Sequence, residues 1–280
     1  MIVSESTLRE RVACDLVAFV ETYMRAEVTD APIDLHPIHV AMVDLIDYSW
    51  QRGLTPVIIA PINHAKSTIA NAVMTWALIH DQRLRLRLVS ASRELATRGT
   101  SNVRDVLTSA RFQRDFPGIE PARPWTPGEI TLKRGTEARD PSLIASGIAT
   151  ATVGVRVDLL VADDIDSELS VYSESERRRV LFAYRTKLRP RLSDFARVLV
   201  IATRQAPDDV VGQILRDGGQ LRTHAIMVLS IPTRGPQRAS RIDCRTILPP
   251  PHRGLRHCFG WAGERPVPVP DLPDEDEDAA

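Results

Sequence analysis

The chain is poor in cysteine, lysine and aromatic residues, and it has no long apolar run. Three scattered cysteines (Cys14, Cys244, Cys258) among 280 residues cannot staple a small disulfide-built domain, and they fit a reducing compartment. No stretch approaches the roughly 20 apolar residues of a membrane-spanning helix, so no membrane partner is expected. The first residues show no basic segment leading into an apolar one, so no secretory leader is expected either. Formal charge is also absent, at a net zero, but the balance is uneven along the chain. Residues 271–280 hold six acids and no base, which leaves 36 bases against 30 acids over residues 1–270. That mild excess is compatible with nucleic acid, and equally with a solvated, arginine-rich surface. The scarcest charged residue is the most telling. Lys66, Lys133 and Lys187 stand against 33 arginines. A lysine kept in such a chain suggests that a compact point charge is wanted there rather than a planar fork.

Around Lys66 the pattern is distinctive. The apolar run Val57-Ile58-Ile59 ends in a short loop, Ala60-Pro61-Ile62-Asn63-His64-Ala65. The loop closes on Lys66-Ser67-Thr68, and a helical pattern begins at once. This is the strand, loop and helix order of a nucleotide-phosphate cradle. Backbone N–H groups of such a loop and the helix N-terminus attract phosphate oxygens. The Lys66 ammonium reaches the β and γ oxygens, and the Ser67 hydroxyl suits Mg²⁺. The strict pattern G-x-x-x-x-G-K-[ST] has glycine where this chain has Ala60 and Ala65. Alone, the segment reads equally as an ordinary strand-to-helix turn with a surface lysine.

The remaining pattern supplies an architecture. Residues 6–27 read as a helix with Leu8, Val12, Leu16, Phe19, Val20 and Tyr23 on one stripe, and a second helix starts at His36 with Pro37 in its first turn. Strands are expected at 56–60, 84–90, 157–162 and 197–203. Helices are expected from Lys66 to about His80, over 93–109 despite Gly99, from the capping box Ser173-x-x-Glu176 to Leu188, and from Pro207 to Gly218. Residues 129–134 and 142–146 read as short strands or a hairpin around Arg134-Gly135. Strands alternating with helices predict an α/β fold, a mostly parallel sheet flanked by helices. Ligands then sit at the carboxyl ends of the strands, where Lys66, Asp163 and Thr203 fall. The division expected is an N-terminal helix over 1–30, the main domain over 31–225, and an irregular, disordered tail over 226–280.

Asp163-Asp164 closes the apolar run Leu159-Leu160-Val161-Ala162. In phosphoryl transfer, Asp163 would hold Mg²⁺ and Asp164 would act as general base toward the attacking water. A pair of acids ending a strand at a turn is the plainer alternative. Together with the Lys66 loop, however, the chain resembles the large terminase subunits of tailed bacteriophages, the motors that package DNA into capsids. Ala60-Pro-Ile-Asn-His-Ala-Lys-Ser-Thr68 resembles that family's Walker A variant. Gly154-Val-Arg-Val-Asp-Leu-Leu-Val-Ala-Asp-Asp164 resembles its Walker B segment, and Val198 to Leu215 is similar to its third motif. Phe116-Pro-Gly and Trp125-Thr-Pro-Gly-Glu-Ile-Thr131 fall in matching places, so the resemblance covers roughly residues 30–220.

This resemblance implies an ASCE-type P-loop NTPase with ATP and Mg²⁺ as cofactors. Ala60, Pro61, Asn63, His64, Ala65, Lys66, Ser67 and Thr68 would line the nucleotide, Ser67 and Asp163 would bind the metal, and Lys66, Asp164 and Thr203 would act in hydrolysis. Thr203 would belong to the motif that senses the γ-phosphate, and His36 and His39 fall where the family contacts adenine. Arg156 and Arg204 are candidates for stabilising charge in the transition state. Implied partners are double-stranded DNA, a portal protein, a small terminase subunit and further copies in a ring, in the host cytoplasm. Ile62 departs from the arginine of many relatives, and the family's C-terminal nuclease framework of separated acids is missing, so nuclease activity is not expected. Cys244, His252, His257 and Cys258 match no standard zinc spacing. Two alternatives stay open: a truncated prophage remnant that binds nucleotide without motor activity, and a helicase- or transposition-type ATPase.

Overall fold

The computed structural model describes residues 5–25, 31–33, 35–135, 140–150, 154–204, 209–218 and 226–230. Among them the element order is α1 (Glu5–Cys14), α2 (Leu16–Tyr23), α3 (Pro37–Gln51), β1 (Thr55–Ile59), α4 (Lys66–His80), β2 (Leu86–Ser90), α5 (Arg93–Thr108), α6 (Ala110–Asp115), β3 (Pro121–Thr126), β4 (Glu129–Leu132), β5 (Leu143–Gly147), β6 (Val157–Asp163), α7 (Glu168–Tyr172), α8 (Glu174–Ala183), β7 (Leu192–Ala202), α9 (Val210–Gly218) and β8 (Ile226–Ser230). One π-helical turn, Tyr184–Leu188, and one 3-10 turn, Arg189–Arg191, join α8 to β7.

The strands form one sheet in the order β3-β4-β5-β2-β6-β7-β1-β8. From β5 to β8 all pairings are parallel, and β3 and β4 are antiparallel additions at one edge. The expected mostly parallel α/β sheet is thus present, with β7 inserted between β1 and β6. Register makes this insertion matter. Ile59 lies beside Ala202, and Asp163 lies beside Ile201, so the three strands end level.

The central strands β1, β2, β6 and the end of β7 are buried on both faces, and their residues alternate between two cores as the strand period requires. Ile58, Leu86, Leu88, Leu159, Val161, Leu199 and Ile201 pack with α1 to α5. Val57, Ile59, Val89, Leu160, Ala162, Val198 and Val200 pack with α8, the π turn and α9. Buried polar groups tie the first layer together. Trp76 Nε1 donates to Val12 O at 3.1 Å, Trp50 Nε1 to Val198 O at 3.1 Å, and the Tyr23 hydroxyl to Asp115 Oδ2 at 2.8 Å.

The structure revises the sequence expectations in several places. The helix expected over 6–27 is divided at Asp15, whose carboxylate accepts from Val17 N and Ala18 N and so caps a new helix. Both pieces join the first core. Residues 129–132 and 143–147 do pair antiparallel, but β4 also pairs with β3, a strand that the prolines of Pro121–Thr126 concealed. The helix opened by Ser173 ends at Ala183 and continues as the π turn to Leu188. Ile226–Ser230, assigned above to an irregular tail, forms a sheet strand paired with β1, so the sheet runs beyond 225. Residues 231–280, including Cys244, His252, His257, Cys258 and the acidic run, lie outside the described residues.

Gly99 is explained by packing. A Cβ there would stand 2.5 Å from Leu88 Cδ2 and 3.2 Å from Asn71 Oδ1, so α5 lies too close to β2 and α4 for a methyl group. Gly99→Ala should therefore destabilise the protein by about 1–3 kcal/mol through overpacking, although alanine favours a helix by about 1 kcal/mol. Gly118→Ala, which meets nothing within 4 Å, should stay within about 0.5 kcal/mol of wild type. Denaturant titration of both variants checks the contrast, and a stabilised Gly99→Ala protein would refute it.

Candidate nucleotide site

The site is assembled at the level ends of β1, β6 and β7. After β1 the chain continues through Ala60, whose N–H donates to Ala202 O at 3.1 Å. Ala60 is not among the residues with positive φ, so this position accepts alanine without strain. The other glycine position differs. Ala65 is left-handed (φ 52, ψ 20) and Asn63 has φ 64, so the loop turns sharply before α4 starts at Lys66. A left-handed alanine costs on the order of 1 kcal/mol and persists only where its surroundings hold it. No side chain caps α4. The first N–H groups of this 15-residue helix are therefore available to an anion.

Lys66 is buried, at 5% exposure. Its ammonium donates to Ala60 O at 2.7 Å, to Pro61 O at 3.0 Å and to Thr203 Oγ1 at 2.7 Å. An ammonium has three protons, and all three are used. Burial holds its pKa below the usual lysine value, while the charges of Asp164 and Asp163 act in the other direction. Thr203 also reaches the acids. Its N–H donates to Asp164 Oδ1 at 2.7 Å, and its hydroxyl lies 3.5 Å from Asp164 Oδ2. Thr203 thus links the cation of one strand end to the carboxylate of another, as its place directly after the inserted strand allows.

Two neighbouring acids have different surroundings. Asp164 sits in the left-handed region at φ 45, with its N–H bonded to Ile201 O and its carbonyl accepting from Ala91 N. Asp163 is half-buried as a residue, but its carboxyl is enclosed, and that desolvation pushes it up to about 6, with the Asp164 charge adding to the rise. The Ser67 side chain hydrogen-bonds this carboxylate and opposes the shift. Asp163 Oδ1 is buried without a hydrogen-bond partner. A carboxylate oxygen in want of a positive partner beside a serine hydroxyl fits Mg²⁺, which takes one or two protein oxygens and completes its shell from water and phosphate. Among the described residues there is no cluster of three or more His, Cys, Asp or Glu that could hold a metal by itself.

The structure therefore brings Ala60, Pro61, Lys66, Ser67, Asp163, Asp164 and Thr203 together. Asn63 and His64 lie on the loop, with His64 Nδ1 3.0 Å from Ile62 O, and Ile62 is exposed at 72%. Thr68 lies in the first turn of α4. His36 and His39 form a reciprocal cap for α3, since Ile38 N donates to His36 Nδ1 and His36 N to His39 Nδ1. Burial lowers the pKa of His39, and the charges of His36 and His64 lower it further. Arg204 is engaged with Asp209, Nε to Oδ2 at 2.9 Å, while Arg156 is exposed ahead of β6. Sequence reasoning missed Asp166 and Asp209, two buried acids beside the site. The one local signal was an acid directly before the apolar pair Val210-Val211, the position of a helix cap.

No protein-family model matches the chain. Over 145 residues, 50% of the chain, it is 26% identical to the large terminase subunit of Enterobacteria phage T3, and the match covers 24% of that relative. The crystal structure of the HK97 bacteriophage large terminase aligns over 82% of this chain and 45% of its own, with a TM-score of 0.55 and 15% identity. At that identity the likeness speaks for the fold alone. The chain spans less than half the length of either protein over these matches. The resemblance carried by the three motifs is thus met independently: the chain is similar in sequence to one phage large terminase and in fold to another.

Proposed function

We propose that this chain is the ATP-hydrolysing motor part of a phage large terminase, powering the packaging of double-stranded DNA into capsids. The observation that carries the reading is the Lys66–Thr203–Asp164 linkage. In it an ammonium, a hydroxyl and a carboxylate form one hydrogen-bonded chain at the carboxyl ends of β1, β6 and β7, which supports a cation for phosphate beside a base. Residues 60–68 cradle the phosphates of ATP through backbone N–H groups, with Lys66 as the point charge. Ser67 and Asp163 would hold Mg²⁺, which would supply charge neutralisation at the phosphates. Asp164 accepts a proton from the attacking water, and Thr203 keeps its carboxylate oriented. The working unit is the sheet domain over 31–225 together with β8. Following what the motif resemblance implies, the partners would be duplex DNA, a portal protein and a small terminase subunit, the active assembly a homo-oligomeric ring, and the place of action the host cytoplasm.

Steady-state ATPase assays test the reading. Lys66→Ala should lower turnover at least about 100-fold and weaken nucleotide binding, because preorganised charge at the phosphates is lost. Equal hydrolysis by wild type and variant would remove the assignment. Asp164→Asn should lose about 10²–10⁴ in rate while binding nucleotide as before. Asp163→Asn should instead weaken the Mg²⁺-dependent part of binding. Matching binding losses in the two variants would defeat this division of roles.

A further test follows from the raised Asp163 carboxyl. In the folded protein burial lifts it to about 6, above the ordinary aspartate value of an unfolded chain. The folded state therefore binds this proton more tightly, and the stability it brings is present below the unfolded value and lost as pH rises through about 6. In metal-free buffer, Asp163→Asn should exceed wild type in stability at about pH 8 by something on the order of 2 kcal/mol, with the gain fading toward about pH 4. Thermal melts with a chelator present would show the reverse sign if Lys66 and Ser67 outweigh the burial.

A further inference from the structure

Asp166 lies two residues beyond Asp164, is 8% exposed, and has no role in the chemistry described above. Its carboxylate is nonetheless heavily engaged. Val210 N donates to Oδ2 at 3.0 Å and lies 3.4 Å from Oδ1, and Val211 N also hydrogen-bonds the carboxylate. The Ser170 hydroxyl stands 2.8 Å from Oδ1 and 2.6 Å from Ser167 O. One acid in the loop after β6 thus grips the first turn of α9, which follows β7, and approaches α7.

Helix α9 does not need Asp166 as a cap. Asp209, directly before it, already accepts from Gly212 N at 2.7 Å and pairs with Arg204. A second carboxylate there is repelled by Asp209, and burial disfavours its charge. The favourable field at a helix N-terminus and the charge-assisted backbone bonds offset this only in part. What Asp166 adds beyond the cap is a connection between the loops that follow β6 and β7. These loops are joined once by Thr203 and Asp164, and again by Val210 and Asp166. Between the two acids the chain leaves a left-handed Asp164, a conformation that must be held from outside.

We propose that Asp166 is a positioning residue for hydrolysis, clamping the loop that carries Asp164 to the first turn of α9. The inference rests on the proposed ATPase reading. It concerns the orientation of the base and not the binding of nucleotide, so its signature is a loss of kcat without a loss of affinity.

Two variants address the clamp from its two sides. Asp166→Asn replaces an acceptor oxygen with a donor facing N–H groups. Val210→Pro removes one of the two N–H bonds, at the first helical position where proline is tolerated, and leaves the Val211 bond, so it serves as the milder break if the asparagine variant fails to fold. ATP turnover per folded protein and affinity for a non-hydrolysable ATP analogue with Mg²⁺ are measured for each. Expected is a fall in kcat of about tenfold or more, with analogue affinity within about twofold of wild type. Ser170→Ala, which leaves both α9 bonds in place, should keep kcat within about twofold. Unchanged kcat in a folded clamp variant overturns the inference, as does affinity falling in step with kcat or a Ser170→Ala loss as deep as that of Asp166→Asn. A wild type that hydrolyses no ATP overturns the proposed function itself, and this inference with it.

Discussion

A buried ammonium has to satisfy each of its protons, and much of this site follows from how Lys66 does so. The two carbonyls it uses, from Ala60 and Pro61, belong to its own loop, so the loop must curl back over the side chain. That curl requires the left-handed turn at Ala65. The third acceptor, Thr203, directly follows β7, a strand far away in sequence, and it becomes available only because β7 is inserted between β1 and β6. Strand order and side-chain chemistry are therefore one constraint. If β6 lay directly beside β1, no residue would stand between the cation and the acids to bond both.

The backbone carries strain at matching points. Asn63, Ala65 and Asp164 are the non-glycine residues with positive φ among those described, and all three belong to the loop before α4 or to the acid pair. Glycine would relieve the strain at Ala65 but would also loosen the unfolded chain and the loop. Alanine keeps the loop stiffer, and the Lys66 bonds to Ala60 and Pro61 hold it in the strained form. The usual reason for glycine at that position, a φ that other residues resist, is thus still visible in a chain that lacks it.

Much of this was legible in the sequence, for reasons that particular residues make clear. The alternation from Leu84 to Ser90 predicts a half-buried strand and the run from Leu159 to Ala162 a buried one; strands stand at both places, but β2 is buried on both faces, Arg87 included. Lys66, Asp163 and Thr203 could be placed on one edge because parallel strands share a carboxyl end. What stayed hidden depended on distant partners. Pro121–Thr126 reads as irregular until β4 lies beside it. Ile226–Ser230 is a bare apolar pentapeptide whose pairing with β1 no local pattern reveals. The break at Asp15 turns on a single carboxylate choosing its own backbone over the helix. Asp166 carries no local signal, because the backbone it grips at Val210 is 44 residues away.

Four acids now stand at or near this edge, and their bonding separates them. Asp209 is met by Arg204 and Gly212 N, and Asp166 by two backbone N–H groups. Asp164 is held by Thr203 alone among the bonds described for its side chain, which orients it and leaves it lone pairs for a further proton donor. Asp163 keeps a buried oxygen with no partner, the costliest of the four arrangements. Fully bonded carboxylates hold the loops in place, and the incompletely bonded ones are left to act on whatever enters. A buried oxygen without a partner would be a defect in a core. Beside Ser67 and the open first turn of α4, it is the feature that most favours a cation arriving together with an anion.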